Sequence, residues 1–372
     1  MARKIRAAVI GAGRLGRFHA QKLAASENAD LLAVVDPIAS NRERVAAECQ
    51  CRPLADPANL MGQIDAAVVA VPTKWHYRLA MELIERGIHV LVEKPVCASL
   101  AEADELVDTA RRCGVVLQVG HVERFNPAFC AAAEYVTEPK YIEALRASPF
   151  TFRSTDVGVV LDLMIHDLDL VLALVHSPAQ RVDALGVAVV GRHEDAANAR
   201  IEFRNGCVAA LSASRVSNAA ARQMQVWTAQ SFAAIDFGAR SLRMVRPSET
   251  LLRREFDLDG LEPDQVAYWQ DHFAQEHLPA TAESFDAVDA LALECEDFLA
   301  AIRTGRAPRV PGEAGRDALA LAEQVLAAIS GHAWDGTPAG RYGPRLEPGR
   351  SVIPSPHFSV VSATTPQRKA AG

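Results

Sequence analysis

The 372-residue sequence contains no apolar run near the ~20 residues that a membrane-spanning helix needs. Basic excess is also missing. Lys and Arg number 39 against 46 Asp and Glu, a net charge of −7, which argues against a nucleic-acid footprint. Its seven cysteines are dispersed at 49, 51, 97, 113, 130, 207 and 295, with no spacing that completes a tetrahedral metal site, so no metal is expected. An odd, scattered set of thiols suits a reducing compartment. No signal-peptide pattern precedes the first apolar strand, and these points together predict a cytoplasmic protein. No internal repeat is present.

Hydrophobic residues make up 49% of the chain, enough for two cores, and its length predicts two domains. The opening stretch is the most informative. An apolar strand over 4–10 runs into Gly11-Ala12-Gly13-Arg14-Leu15-Gly16, then into a helical pattern over 14–26. A second apolar strand over 31–35 ends in Asp36, 20 residues after the last glycine. This is the strand–G-x-G-x-x-G–helix arrangement that binds a dinucleotide. Gly11 permits the tight turn, Gly13 lets a pyrophosphate approach the backbone, and Gly16 lets helix and strand pack closely. The helix N-terminus offers free N–H groups to phosphate. Asp36 accepts from ribose hydroxyls and repels a 2′-phosphate. With Pro37 following, and Arg42 several residues on, it favours NAD over NADP.

Strands and amphipathic helices alternate to about residue 120, which predicts a doubly wound parallel sheet. Beyond it lie a helix over 127–136 and a long helix over 157–175. Strands follow over 181–190, 198–203, 207–214, 224–229, 233–237 and 242–246. Asn205-Gly206 signals a type I′ hairpin. Helices over 287–303 and 314–330 are expected to return toward the domain junction. The expected fold is α/β: a Rossmann domain over 1–122, an α+β domain with a large, mostly antiparallel sheet over 123–332, and an extended or disordered tail over 333–372. The strands carry Val, Ile, Phe and Ala with no second helical layer. That predicts an exposed apolar face, and hence a homodimer or homotetramer.

Ligands in such folds bind beyond the carboxyl ends of the strands. Three ends are unusual: Pro72-Thr73 with His76, Glu93-Lys94-Pro95, and His121-Val122-Glu123-Arg124-Phe125-Asn126-Pro127. Lys94, held extended by the following proline, can bind a substrate hydroxyl and move its proton; a solvated loop lysine is the plainer reading. Asp162 and His166 are four apart on the long helix and share a face, so the carboxylate can orient an acid–base imidazole or simply stabilise the helix. Arg124 suits a phosphate, a carboxylate or a junction ion pair. Asn126 suits a sugar hydroxyl or a cap for the helix after it.

Together these elements resemble the Gfo/Idh/MocA oxidoreductase family over roughly 4–330. The resemblance rests on the glycine loop, Pro72-Thr73 with His76, Glu93-Lys94-Pro95 and Asp162…His166. It implies reversible hydride transfer between NAD and a sugar or cyclitol carbinol. Lys94, His166 and Asp162 would be the catalytic group, the latter two also touching substrate. The glycine loop, Asp36, Pro72, Thr73, His76, Glu93 and Lys94 would line the cofactor. The 121–127 segment resembles members that oxidise nucleotide-linked amino sugars, which implies oxidation of UDP-N-acetylglucosamine at its 3-hydroxyl. A partner aminotransferase would consume the ketone on a route to the diamino sugar of lipid A, and His121, Arg124 and Asn126 would contact substrate. Two alternatives remain at this level: a dehydrogenase of a free sugar or inositol, and a non-catalytic dinucleotide-binding regulator.

Overall fold

Ile5–Ile10 (β1) buries five of its six residues, because it lies in the middle of a sheet covered on both faces. The computed structural model describes residues 3–152, 154, 157–190 and 193–332. The tail expected over 333–372 lies outside the described residues. The other strands of this sheet are Ala29–Val35 (β2), Arg52–Leu54 (β3), Ala66–Val69 (β4), His89–Glu93 (β5) and Leu117–Gly120 (β6). Their order is β3-β2-β1-β4-β5-β6, and every pair is parallel. The crossovers carry Arg14–Ala25 (α1), Ala39–Cys49 (α2), His76–Ile84 (α3) and Leu100–Cys113 (α4). Strand order reverses between β1 and β4, so a cleft opens beyond their carboxyl ends.

Pro127–Tyr135 (α5) leads to Tyr141–Ala147 (β7) and, after a π-turn over Val160–Met164, to Ile165–Val175 (α6). Then come Ala179–Val187 (β8), Ala196–Phe203 (β9), Val208–Ser214 (β10), Ala221–Trp227 (β11), Phe232–Asp236 (β12) and Ser241–Val245 (β13). Glu249–Leu252 (α7), Pro263–His277 (α8), Ala280–Ser284 (β14), Ala290–Thr304 (α9) and Gly312–Gly331 (α10) complete the chain. The eight strands run β14-β13-β12-β11-β7-β10-β9-β8, antiparallel except for β7 with β10. The late helices do return to the first sheet. Cys295, Phe298 and Leu299 of α9 join the core around β1, and the Val119 N–H donates to the Val310 carbonyl at 3.0 Å.

Three expectations need correction. The β9–β10 hairpin is not type I′. The Gly206 N–H donates to the Phe203 carbonyl at 2.9 Å, with Gly206 at φ 85 and Asn205 not left-handed, which is a three-residue loop. Asn205 instead spends its side chain on the Cys207 N–H and the Val175 carbonyl. Between 246 and 287, where no element is assigned above, the chain forms α8. Only His277 of that helix is buried, and its Trp269 and Phe273 pack on Phe256, so its apolar residues form a cluster of their own. The open face of the large sheet is apolar only in part. Strand alternation sends Ile142, Ala144, Ile201, Leu211, Met224 and Val226 under the helices. The open side carries Glu143, Asn198, Arg200, Ser212, Gln223 and Arg243 beside exposed Leu145 and a row of half-buried apolar residues, Val208, Tyr141, Trp227, Phe232 and Val245.

Candidate active site

The glycine loop forms a cradle at the switch point. Gly11 lies at φ 101, and a Cβ there would sit 2.3 Å from the Ala70 carbonyl oxygen. A Cβ on Gly16 would sit 1.8 Å from the Gly11 oxygen, so α1 could not close onto its own loop. A Cβ on Gly13 would meet no protein atom within 4 Å. That open space lies at an α1 N-terminus with no side-chain cap and no acidic residue in its first turn. Free N–H groups, a positive dipole end and an empty approach fit a pyrophosphate. Arg14 packs over Phe18, and Leu15 is partly exposed beside it.

Asp36 is buried, with Oδ2 accepting from the Ala12 N–H and Oδ1 from the Ile38 N–H, each at 2.8 Å. The carboxylate is thereby fixed to the glycine loop and keeps further lone pairs for a ribose. Arg42 reaches back from α2 to the main-chain oxygens of Asp36 and Pro37 at 3.3 and 3.1 Å. Pro72 and Thr73 follow β4 at the cleft. His76 does not face it. Its Nδ1 lies 2.9 Å from the Pro95 carbonyl oxygen and its Nε2 2.8 Å from that of Val71. Burial holds its pKa below the usual value. It staples the loop after β4 to the loop after β5. Glu93 likewise turns inward, with Oε1 2.7 Å from His19 Nε2 and Oε2 accepting the Lys94 N–H at 3.3 Å. Both side chains, expected to line the cofactor, are thus bonded within the protein at the wall of the cleft.

Lys94, at the end of β5 and linked by a cis bond to Pro95, crosses to the second domain. Its Nζ donates to the Asp162 main-chain oxygen at 2.5 Å and lies 3.4 Å from Oδ1. The π-turn over Val160–Met164 bears Asp162, and such turns release main-chain carbonyls from the helical ladder. Buried Glu194 fixes this turn. Its side chain accepts from the Val160 N–H and its main-chain oxygen from the Val159 N–H. Gly158 leaves room for that carboxylate, since a Cβ would fall 1.9 Å from Glu194 Oε1 and displace it. His166 follows one turn on. Burial, then the charges of Lys94, Arg146, His121 and Arg222, drive its pKa well below the usual value, so it is a neutral base. Its Nδ1 is buried without a partner, and Asp162 does not orient it through a hydrogen bond as the spacing suggested. His121 is buried edge-on to it, ring centroids 6.1 Å apart, with both nitrogens unpartnered among the described residues.

Arg124 and Asn126, expected to contact substrate, are both bonded within the protein. Arg124 forms a two-pronged ion pair with buried Asp169 at 2.7 and 3.0 Å, the junction alternative. Asn126 caps α5 through the Ala128 N–H and donates to the Phe237 carbonyl. Two residues near His166 had no sequence signal. Arg146 is buried in ion pairs to Glu123 and Asp167, both at 2.7 Å. Arg222, directly across from it on β11, remains exposed. Its nearest carboxylate, Glu123, is 3.9 Å away and already engaged by Arg146. Period-2 alternation put both arginines at apolar-face positions, and only pairing of β7 with β11 brings them together.

The oxidoreductase family profile with the NAD-binding Rossmann fold matches residues 5–121, and the GFO/IDH/MocA C-terminal domain matches 133–230. The chain belongs to the Gfo/Idh/MocA oxidoreductase family. Within it, the chain is 37% identical over 330 residues to UDP-N-acetylglucosamine 3-dehydrogenase of Acidithiobacillus ferrooxidans, covering 87% of this chain and 97% of that one. A solved structure of that enzyme superposes with a TM-score of 0.76 over 88% of this chain and 98% of the other. The scyllo-inositol 2-dehydrogenase (NAD(+)) of Bacillus subtilis is 31% identical over 58% of this chain and 69% of its own. Levoglucosan dehydrogenase in complex with NADH shares the fold, with a TM-score of 0.75 at 15% identity over 88% of this chain and 98% of the other. This family member is thus an NAD-binding oxidoreductase with a Rossmann domain and a large, mostly antiparallel second sheet.

Proposed function

We propose that this protein oxidises the 3-hydroxyl of a UDP-linked N-acetylamino sugar, UDP-N-acetylglucosamine foremost, to the 3-keto sugar. The observation that carries the chemistry is the meeting of Lys94, Asp162 and neutral His166 at the cleft between the sheets. Bound NAD supplies the acceptor for the carbinol hydride. Lys94 holds the hydroxyl oxygen and steadies the charge that develops there, His166 takes the hydroxyl proton, and Asp162 fixes Lys94. The 37% identical relative supports the substrate. So does Arg222, an uncommitted guanidinium near His166 able to meet an anion such as a diphosphate. It takes the role that Arg124 cannot.

A homodimer or homotetramer through the open sheet face, the cytoplasm as compartment, and an aminotransferase consuming the ketone for lipid A belong to the same reading. The last follows from chemistry: a 3-keto sugar is the natural substrate for transamination. The test is NADH formation with UDP-N-acetylglucosamine, with an aminotransferase and glutamate present to remove product. Arg222→Ala should raise the sugar KM about tenfold or more, as loss of a charged hydrogen bond does, and leave the NAD KM unchanged. Turnover of a free polyol in preference to the nucleotide sugar would overturn the substrate.

A further inference from the structure

At the root of Lys94, three acid–base side chains meet away from solvent. His19 of α1, Glu93 of β5 and Glu294 of α9 are 0%, 7% and 0% exposed, and their ligating atoms all lie within 4.8 Å of one another. Two of the three are accounted for. The Cys295 thiol lies 3.5 Å from His19 Nδ1, and with that nitrogen accepting, Nε2 carries the proton that His19 donates to Glu93. Glu93 in turn accepts the Lys94 main-chain N–H. Glu294 stands apart, because neither of its carboxylate oxygens has a hydrogen-bond partner among the described residues. An ionised carboxylate with no donor in such a site, beside a second carboxylate, is strongly unfavourable. A proton on Glu294 removes the charge and turns the residue into a donor.

We propose that Glu93 and Glu294 hold one proton between them, and that this pair, braced by His19, positions Lys94 for the reaction. The charges around it agree. Burial drives the Glu294 carboxyl well above its usual range, and Glu93, Asp297 and Asp169 push it further the same way. Burial also acts to raise Glu93, yet the His19 hydrogen bond and the nearby Lys94 ammonium hold it below its usual value. One group therefore keeps the proton and the other the charge, as in carboxyl pairs that cannot both ionise. Glu294 touches neither substrate nor cofactor. It acts through the Glu93 side chain that holds the Lys94 backbone.

The inference rests on the role given to Lys94 above, so its first test uses no substrate. Infrared spectra at neutral pH should contain a protonated-carboxyl stretch that disappears in Glu294→Gln. Stability checks it again. Because the folded pKa of Glu294 is raised, its contribution is present at acid pH and is lost as pH rises through that raised value. The Tm of Glu294→Gln should therefore gain on the unmodified protein as pH rises above the usual carboxyl range. In turnover, Glu294→Gln, which keeps a donor, should stay within about threefold in kcat. Glu294→Leu, which keeps none, should lose tenfold or more in kcat with the NAD KM unchanged. Absence of the infrared band, equal loss in both variants, or one equivalent of zinc retained through dialysis and lost in Glu294→Gln would overturn the proposal.

Discussion

Residue identity at the cleft is decided by what each polar atom is already bonded to. On the proposed mechanism Lys94 and His166 meet the substrate, Lys94 as donor and His166 as base. Lys94→Met should leave NAD binding intact and lower kcat by about 10² or more, the scale of losing an acid–base or charge-stabilising group; fluorescence titration with NADH separates the two effects. The pH dependence has a definite sign. Because burial and neighbouring cations depress the His166 pKa, the base form persists below the usual histidine value. The acid limb of kcat/KM should fall below pH 6.5 and disappear in the residual activity of His166→Asn. A limb above that value would contradict the placement of His166. Sequence reading singled out Lys94, Asp162 and His166 by residue type and spacing, and only the family resemblance raised them above a loop lysine and a helix-stabilising pair. It missed Arg222, Glu294 and His19 because a lone arginine on a strand, or an acid on a late helix, carries no local signal. Each gains meaning from neighbours tens to hundreds of positions away.

At the scale of elements, glycines and helix ends set the site. Gly16 lies where α1 touches its own loop, so Gly16→Ala forces a Cβ into the Gly11 carbonyl oxygen. The loop and helix must separate. NAD affinity should fall at least tenfold, read by calorimetry, while circular dichroism of the second domain stays unchanged. Gly13→Ala should behave differently. It meets no protein atom, so its loss is confined to cofactor binding and the apo protein keeps its Tm. Long periodic elements such as α1, α4, β9 and β10 were legible because their apolar spacing repeats. α8 was not, since its aromatic side chains pack on Phe256 in a cluster of its own and so hide the face a core helix would present. The turn at Asn205-Gly206 was misread because Asn205 is recruited to the end of α6, a contact that lies 30 residues back along the chain.

Across the whole molecule, buried ion pairs join the two sheets. Arg124, just after the first sheet, is paired to Asp169 on the helix that carries His166. Asp169 is 1% exposed, so Arg124→Ala strands a buried charge. Breaking such a pair costs about 3–5 kcal/mol, near the upper end only if Arg124 were fully buried. Denaturant unfolding should register that loss, and Arg124→Met with Asp169→Leu should recover most of it. Full recovery of stability with kcat still impaired would assign the pair to domain alignment. No change in either would remove it from the junction.

By itself the sequence determined the parallel sheet, the glycine cradle and the large second sheet, because these follow from local periodicity and from glycine's missing Cβ; the catalytic roles proposed for Lys94, Asp162 and His166 came from the family resemblance of their motifs. Only the tertiary structure decided which charged groups are free to act. That depends on pairing between distant elements: Asp169 claims Arg124, Glu123 and Asp167 claim Arg146, while among the described residues Arg222 has only a 3.9 Å approach to Glu123 and the Glu294 carboxylate has no hydrogen-bond partner.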